Sequence, residues 1–196
     1  MSASELNPVM CAAFLVAAFT LAGFCQTTWL AAPVSRRFAV PLDRGRTLFG
    51  RRLFGANKTV RGFVMFVPAT SASFALLAAL LNASPAGLAG LWPLSAGAYA
   101  WLGLWAGVGF MAGELPNSFV KRQLGVPPGA AASGRFAQPI FFVVDRMDSI
   151  AGTMLALSLI VHVSWRMSMY VALIGPVVHW FFSVALFQLG VKARAA

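Results

Sequence analysis

Five runs of apolar residues, each about the length of a membrane-crossing helix, constrain this chain more than any other feature of its sequence. They fall at about 8–32, 63–82, 95–113, 139–164 and 169–190. A bilayer core of about 30 Å requires about 20 consecutive apolar residues per helix, and each run meets that length. A soluble core has no place for so much apolar surface: 59% of the 196 residues are hydrophobic, 10% are charged and mean hydropathy is +0.77. The sequence predicts an all-α integral membrane protein with five transmembrane helices in a single membrane domain, residues 1–196, leaving no length for a large soluble domain.

The first run lacks the basic flank of a secretory signal and exceeds a cleaved apolar segment, so it reads as a retained helix. Pro68 marks a local kink in "FVMFVPATSASFALLAALL". Gly103, Gly107, Gly109 and Gly113 let the third helix approach a neighbour closely, within the monomer or across a homodimer. The fourth helix is expected to begin at Pro139, a favoured first helical position. His162 and His179, within helices four and five, read as interhelical hydrogen-bonding residues. Cys11 and Cys25 lie 14 positions apart, roughly 21 Å on a helix. They cannot bridge each other and read as buried thiols.

The polar segments at about 33–62 and 114–138 carry the charge. The formal net charge of +10 suggests nucleic acid until the basic residues are sorted by side of the membrane. One side holds eight in the first loop, four in the second and two at the C-terminus, 14 against Arg166 alone. The positive-inside rule then places the N-terminus outside, the C-terminus and both loops in the cytoplasm, and makes nucleic acid an unnecessary partner. The expected location is the plasma membrane of a prokaryote.

The acids need a separate explanation, because they contribute little to topology. Leaving aside Glu5 near the N-terminus, Asp43, Glu114, Asp145 and Asp148 all map to the cytoplasmic side. Asp145 and Asp148 in "FFVVDRMDSIAG" stand at i and i+3, one helical turn apart on one face. Carboxylates one to three turns inside an apolar helix usually face a polar cavity or a partner. The plainer reading is that Asp148 and Ser149 cap a helix that starts later. A DxxD pair also suits Mg²⁺, which takes one or two carboxylates plus substrate phosphates. Lys58, Arg61, Lys121 and Arg122 are then placed to neutralise a polyphosphate, which points to a nucleoside triphosphate.

"GRRLFGANKT" nearly spells a P-loop, but Ala56 and Asn57 separate Gly55 from Lys58 and no strand precedes it. It is not one. Gly55, Asn57, Lys58 and Thr59 still offer amide, hydroxyl and ammonium donors to an anion.

Three blocks in order, "RRLFGANKTVRGF", "GELPNSFVKRQLGVPPG" and "VVDRMDS", resemble the CDP-archaeol synthase family of small membrane CTP-dependent cytidylyltransferases, over about Pro41 to Ile150. The last block is also similar to the Asp-Arg-x-Asp-Ser signature of phosphatidate cytidylyltransferases. The resemblance implies transfer of CMP from CTP to a lipid phosphate, with Mg²⁺ and release of pyrophosphate. It implies that Asp145 and Asp148 are metal ligands, with Glu114 in the place of the family's Gly-Asp carboxylate. By the same matching, Lys58, Thr59 and Arg61 contact phosphate, while Ser118, Lys121 and Arg122 line the nucleotide. Gly55, Asn57 and Arg146 complete the expected nucleotide-binding set, and Lys58, Lys121, Asp145 and Asp148 the catalytic one. The archaeal branch usually has Asp-Gln-x-Asp where this chain has Asp145-Arg146-Met147-Asp148, so both a phospholipid acid and an ether-lipid phosphate stay open as substrate.

A competing reading is a small transporter or anion-binding protein whose basic loops collect phosphorylated solutes. Against it, the runs carry almost no charge beyond the fourth-helix entrance and show no paired repeat. A scaffold held on anionic lipid by its first loop leaves the DxxD pair and Glu114 without a purpose.

Overall fold

The computed structural model describes residues 6–84, 87–130, 135 and 137–191. Glu5, Pro85, residues 131–134 of the second loop, and Lys192 and Arg194 lie outside them. Five long helices dominate: α1 Pro8–Ala31, α2 Val60–Asn82, α3 Ala96–Gln123, α4 Ala137–Ser158 and α5 Trp165–Gln188. Three of them, α1, α2 and α5, are long and apolar enough to cross a membrane by length and composition alone.

Local chemistry sets the helix starts. Asn7 caps α1 by accepting from the amides of Val9 and Met10, with Pro8 as the first helical residue. Ser95 and Ser164 cap α3 and α5 in the same way. Pro68, Pro116 and Pro176 all lie inside helices, tolerated where neighbouring helices hold the backbone in place.

Each helix packs on its neighbours in sequence, and α5 returns to α1, so the five close into a ring whose sparsest seam is α4 against α5. The end away from the basic loops is sealed. There Leu15, Phe14, Phe74, Tyr99 and Leu102 form a buried core. The Tyr99 hydroxyl donates to the Trp92 carbonyl at 2.7 Å and the Trp92 indole to that of His162 at 3.0 Å. Outward faces keep Leu76, Leu80, Leu155, Leu173, Val177 and Phe181 exposed, as lipid-facing helices require.

Several boundaries differ from the sequence expectation. The second polar segment was expected to begin at Glu114, but α3 continues to Gln123. Gly113 and Pro116 are stop signals in isolation; here the glycine is a contact point with α4 and the helix carries on past it. Accordingly Glu114, Ser118, Lys121 and Arg122 sit on a helix and not in a loop. α4 begins two residues before Pro139 and ends at Ser158, so His162 falls in the link. Cys11 is buried as expected, whereas Cys25 is exposed on the outside of α1.

The first loop folds into a 3₁₀ turn, Pro33–Phe38, and a two-stranded hairpin of β1 Thr47–Leu48 and β2 Arg51–Arg52, with Thr47 opposite Arg52. Its centre is Asp43, which is 3% exposed. The Asp43 carboxylate accepts from the amides of Gly45 (3.0 Å), Phe54 (3.1 Å) and Gly55 (2.9 Å) and pairs with the Arg52 guanidinium. Burial by itself would raise its pKa, but Arg52 and those three amides outweigh it and hold the carboxyl well below the usual carboxylate range. The stretch that resembled a P-loop therefore does make an anion nest, and the anion is the chain's own. A group with a depressed folded pKa stabilises at neutral pH, and that contribution fades as the pH falls below about 4. Asp43→Ala, which strands three amides and an arginine, is expected to cost roughly 3 kcal/mol. A lower melting temperature in detergent at pH 7, with a difference from wild type that narrows towards pH 3, would verify this.

Candidate active site

The site begins with glycine. Gly109 and Gly113 of α3 face Gly152 of α4 so closely that a Cβ at Gly113 would lie 2.5 Å from the Asp148 carbonyl and 2.9 Å from the Gly152 Cα. A Cβ at Gly152 would collide with the Gly109 carbonyl. Gly103 and Gly107 meet α2 in the same manner, so the glycine face is used within the chain. Backbone contact brings the polar ends of α3 and α4 to hydrogen-bonding distance.

Three layers of polar contact follow. Lys58, from the first loop, pairs with Glu114, whose other oxygen accepts from the Ser149 hydroxyl at 2.9 Å. Asn117 donates through Nδ2 to both Asp145 (2.6 Å) and Asp148 (2.9 Å). Lys121 pairs with Asp145, and its ammonium stands 5.3 Å from the Phe141 ring centre. Burial would lower the Lys58 pKa, but Glu114, with Asp148 and Asp145 behind it, raises it above the usual lysine value, so the ammonium keeps its charge.

These groups line one end of an open cavity of about 900 Å³ to which all five helices contribute. Part of its wall is aromatic: Phe19, Phe66 and Phe110 cluster with ring centroids 4.6 to 6.0 Å apart. Phe182, Val171 and Leu186 of α5 extend the apolar wall. A charged end joined to an apolar trough accommodates a phosphorylated headgroup with its chains.

Arg122 is the exceptional cation. It is 8% exposed, its Nε has no hydrogen-bond partner, and it has no ion pair among the described residues. The lack of a side chain at Gly55, whose φ is +94°, makes room for it: a Cβ there would lie 3.0 Å from Arg122 Nη1. A buried guanidinium without a counterion is a ready anion site.

Not every expected residue faces the site as anticipated. The structure brings Asn57, Lys58, Thr59, Ser118, Lys121, Arg122, Asp145 and Asp148 to the same cavity. Arg61 also borders it, but its guanidinium bonds to the Leu30 carbonyl and Ser35 hydroxyl, tying the 3₁₀ turn to α1. Gly55 spends its amide on Asp43 and offers it to no phosphate. Arg146 also borders the cavity, with its guanidinium stacked on Phe142, 3.5 Å from the ring centre. His179 lines the cavity wall with Glu114, so it is nearer the chemistry than its helix position implied. Two participants were missed, Asn117 and Ser149; the i, i+3, i+4, i+7 spacing of 114, 117, 118 and 121 reveals the first only once α3 is known to continue.

Among the described residues no three His, Cys, Asp or Glu side chains gather into a metal cage, so the three-carboxylate set of Glu114, Asp145 and Asp148 is not assembled. Asp145 and Asp148 do converge, on the Asn117 amide, and the Asn117 Oδ1 is buried without a partner. An unpaired buried carbonyl costs about 1–3 kcal/mol. Two carboxylates and an amide carbonyl are hard oxygen donors of the kind Mg²⁺ takes.

Lipid-facing helices around a chamber with buried cations and carboxylates at one end define a membrane-embedded enzyme acting on phosphorylated compounds. Known proteins agree. The chain belongs to the CDP-archaeol synthase family, whose model, described as CarS-like CDP-archaeol synthase, matches residues 30–195. The CDP-archaeol synthase of Halobacterium salinarum is 35% identical over 160 residues, 78% of this chain and 81% of the relative. That of Methanopyrus kandleri is 32% identical over 155 residues, covering 78% and 77%. A solved structure described as an intramembrane enzyme for archaeal membrane lipids biosynthesis superposes with a TM-score of 0.54 at 26% identity, over 81% of this chain and 89% of that one.

Proposed function

We propose that this chain transfers CMP from CTP to the phosphate of a membrane lipid, giving a CDP-activated lipid of the CDP-archaeol or CDP-diacylglycerol type and pyrophosphate. An oxygen of the lipid phosphate attacks the α-phosphorus of CTP; that O–P bond forms as the bond from the α-phosphorus to the bridging oxygen breaks and pyrophosphate leaves. The observation that carries this reading is Arg122, a buried guanidinium without an anion among the described residues, in the same cavity as Lys58 and the DxxD pair.

Two polyanions approach each other in this reaction, and the chain's fixed cations reduce their repulsion. Lys58, held charged by Glu114, and Arg122 face the triphosphate, and Ser118, buried beside Arg122 on α3, adds a hydroxyl donor. Lys121 restrains Asp145. Asp145 and Asp148 would hold Mg²⁺, which when bound neutralises phosphate charge and assists departure of pyrophosphate. The apolar trough takes the lipid chains.

In the membrane all five helices span, with α3 and α4 carrying their polar ends into the cytoplasmic interface, the N-terminus outside and the C-terminus inside. The excess of basic residues in the first loop supports that orientation, and it gives CTP access from the cytoplasm. Purified protein in detergent, supplied with CTP and either diether or diacyl glycerol phosphate, tests the activity and the lipid class together. Absence of pyrophosphate release with both lipids overturns the reading. Arg122→Ala is expected to raise KM for CTP roughly 10- to 100-fold, the scale of a lost charge-assisted contact, with a smaller effect on KM for lipid. An equal rise for both substrates would remove Arg122 from the nucleotide.

A further inference from the structure

Asn117 is 9% exposed and its two polar atoms are in opposite situations. Nδ2 donates to Asp145 and Asp148 at 2.6 and 2.9 Å, while Oδ1 is buried with no partner. The amide nitrogen thus bridges the two carboxylates with its two N–H groups and offsets their charge, as a cation shared by them would. An amide is nearly symmetric in shape, and turning it about its terminal bond exchanges nitrogen for oxygen at the same point in space. With no cation, N–H toward the carboxylates is the favourable orientation. Facing a divalent cation, the carbonyl is.

We propose that Asn117 supplies a third protein oxygen to the divalent cation held by Asp145 and Asp148, rotating its amide so that Oδ1 replaces Nδ2 at the carboxylate pair. This rests on the metal-binding reading given above and extends it to a residue outside the DxxD motif. It gives the orphaned carbonyl a partner, the cation, whose charge the amide nitrogen offsets in part while no metal is bound. It also explains how two carboxylates stay close without metal: the N–H groups offset their repulsion. The alternative is that Asn117 only clamps the carboxylates as a donor.

The two roles respond oppositely to Asn117→Asp. A clamp fails when its donor becomes a third carboxylate, whereas a ligand site keeps its oxygen and gains charge. The test is binding of Mn²⁺, a spin-active ion that accepts the same oxygen donors, to the full-length protein in detergent without CTP, followed by electron paramagnetic resonance. Wild type is expected to bind Mn²⁺ saturably, Asn117→Ala to bind at least about tenfold more weakly, and Asn117→Asp to match or exceed wild type. Melting curves without metal verify that each variant is folded, and Asn117→Ser, which keeps an oxygen in a smaller side chain, is expected to fall between Asn117→Ala and wild type. Unchanged Mn²⁺ affinity in Asn117→Ala, or loss of binding in folded Asn117→Asp, overturns the proposal while leaving the metal reading in place. No saturable binding by wild type overturns both.

Discussion

Asp148→Asn is expected to abolish CMP transfer, lowering turnover at least about 10²- to 10³-fold, the scale for removing an electrostatic contact at a phosphoryl centre. The fold should survive. Asp148 Oδ1 accepts from the Ser149 amide at 2.7 Å, a bond an asparagine carbonyl retains. The new amide nitrogen replaces the oxygen that accepted from Asn117, so one hydrogen bond is lost while Asn117 keeps its donation to Asp145. The variant therefore separates charge from structure: its melting temperature should stay within a few degrees of wild type while CTP-dependent pyrophosphate release disappears. Wild-type turnover in this variant would falsify the assignment of the DxxD pair.

Gly152→Ala tests the architecture rather than the chemistry. A methyl there has no space, because it collides with the Gly109 carbonyl and meets the Gly113 Cα at 2.6 Å, both of them backbone. Relief requires α3 and α4 to separate, at a cost of roughly 1–3 kcal/mol. Separation also parts Asn117 from Asp145 and Asp148 and Ser149 from Glu114, and displacements near 1 Å in a reacting constellation reduce rates about 100-fold. Both melting temperature and turnover should fall. Gly97→Ala on α3 is the control: nothing lies within 4 Å of a Cβ there, so neither quantity should drop. If Gly152→Ala kept wild-type turnover, the glycine contact would not be what sets the site.

The membrane character and most helix positions were legible because span length and apolarity are properties of a continuous segment. The polar residues of the site were legible for a related reason: an ionisable group in a sparsely charged chain needs a purpose, and Asp145, Asp148, Lys58, Lys121 and Arg122 all reach the one cavity. Local rules failed at Gly113 and Pro116, stop signals by propensity that tertiary contact overrode. That misplaced the second segment and concealed Asn117, which shares a helix face with Glu114 and Lys121 only if α3 continues. Arg61 and Gly55 looked like phosphate donors, but their hydrogen bonds go to Ser35, Leu30 and Asp43.

By itself the sequence determined that apolar helices cross a bilayer, that the basic residues concentrate in two polar segments, and that a DxxD pair sits at a helix entrance among cations. These follow from composition along a segment and from a spacing within one turn. Only the tertiary structure decided which cation meets which carboxylate: Lys58 with Glu114, Lys121 with Asp145, Arg52 with Asp43, and Arg122 with no anion among the described residues. Pairing across 9 to 56 positions depends on how helices close into a ring and how near glycine lets two backbones come. No local pattern encodes that distance, and it is what leaves Arg122 without an ion pair among the described residues.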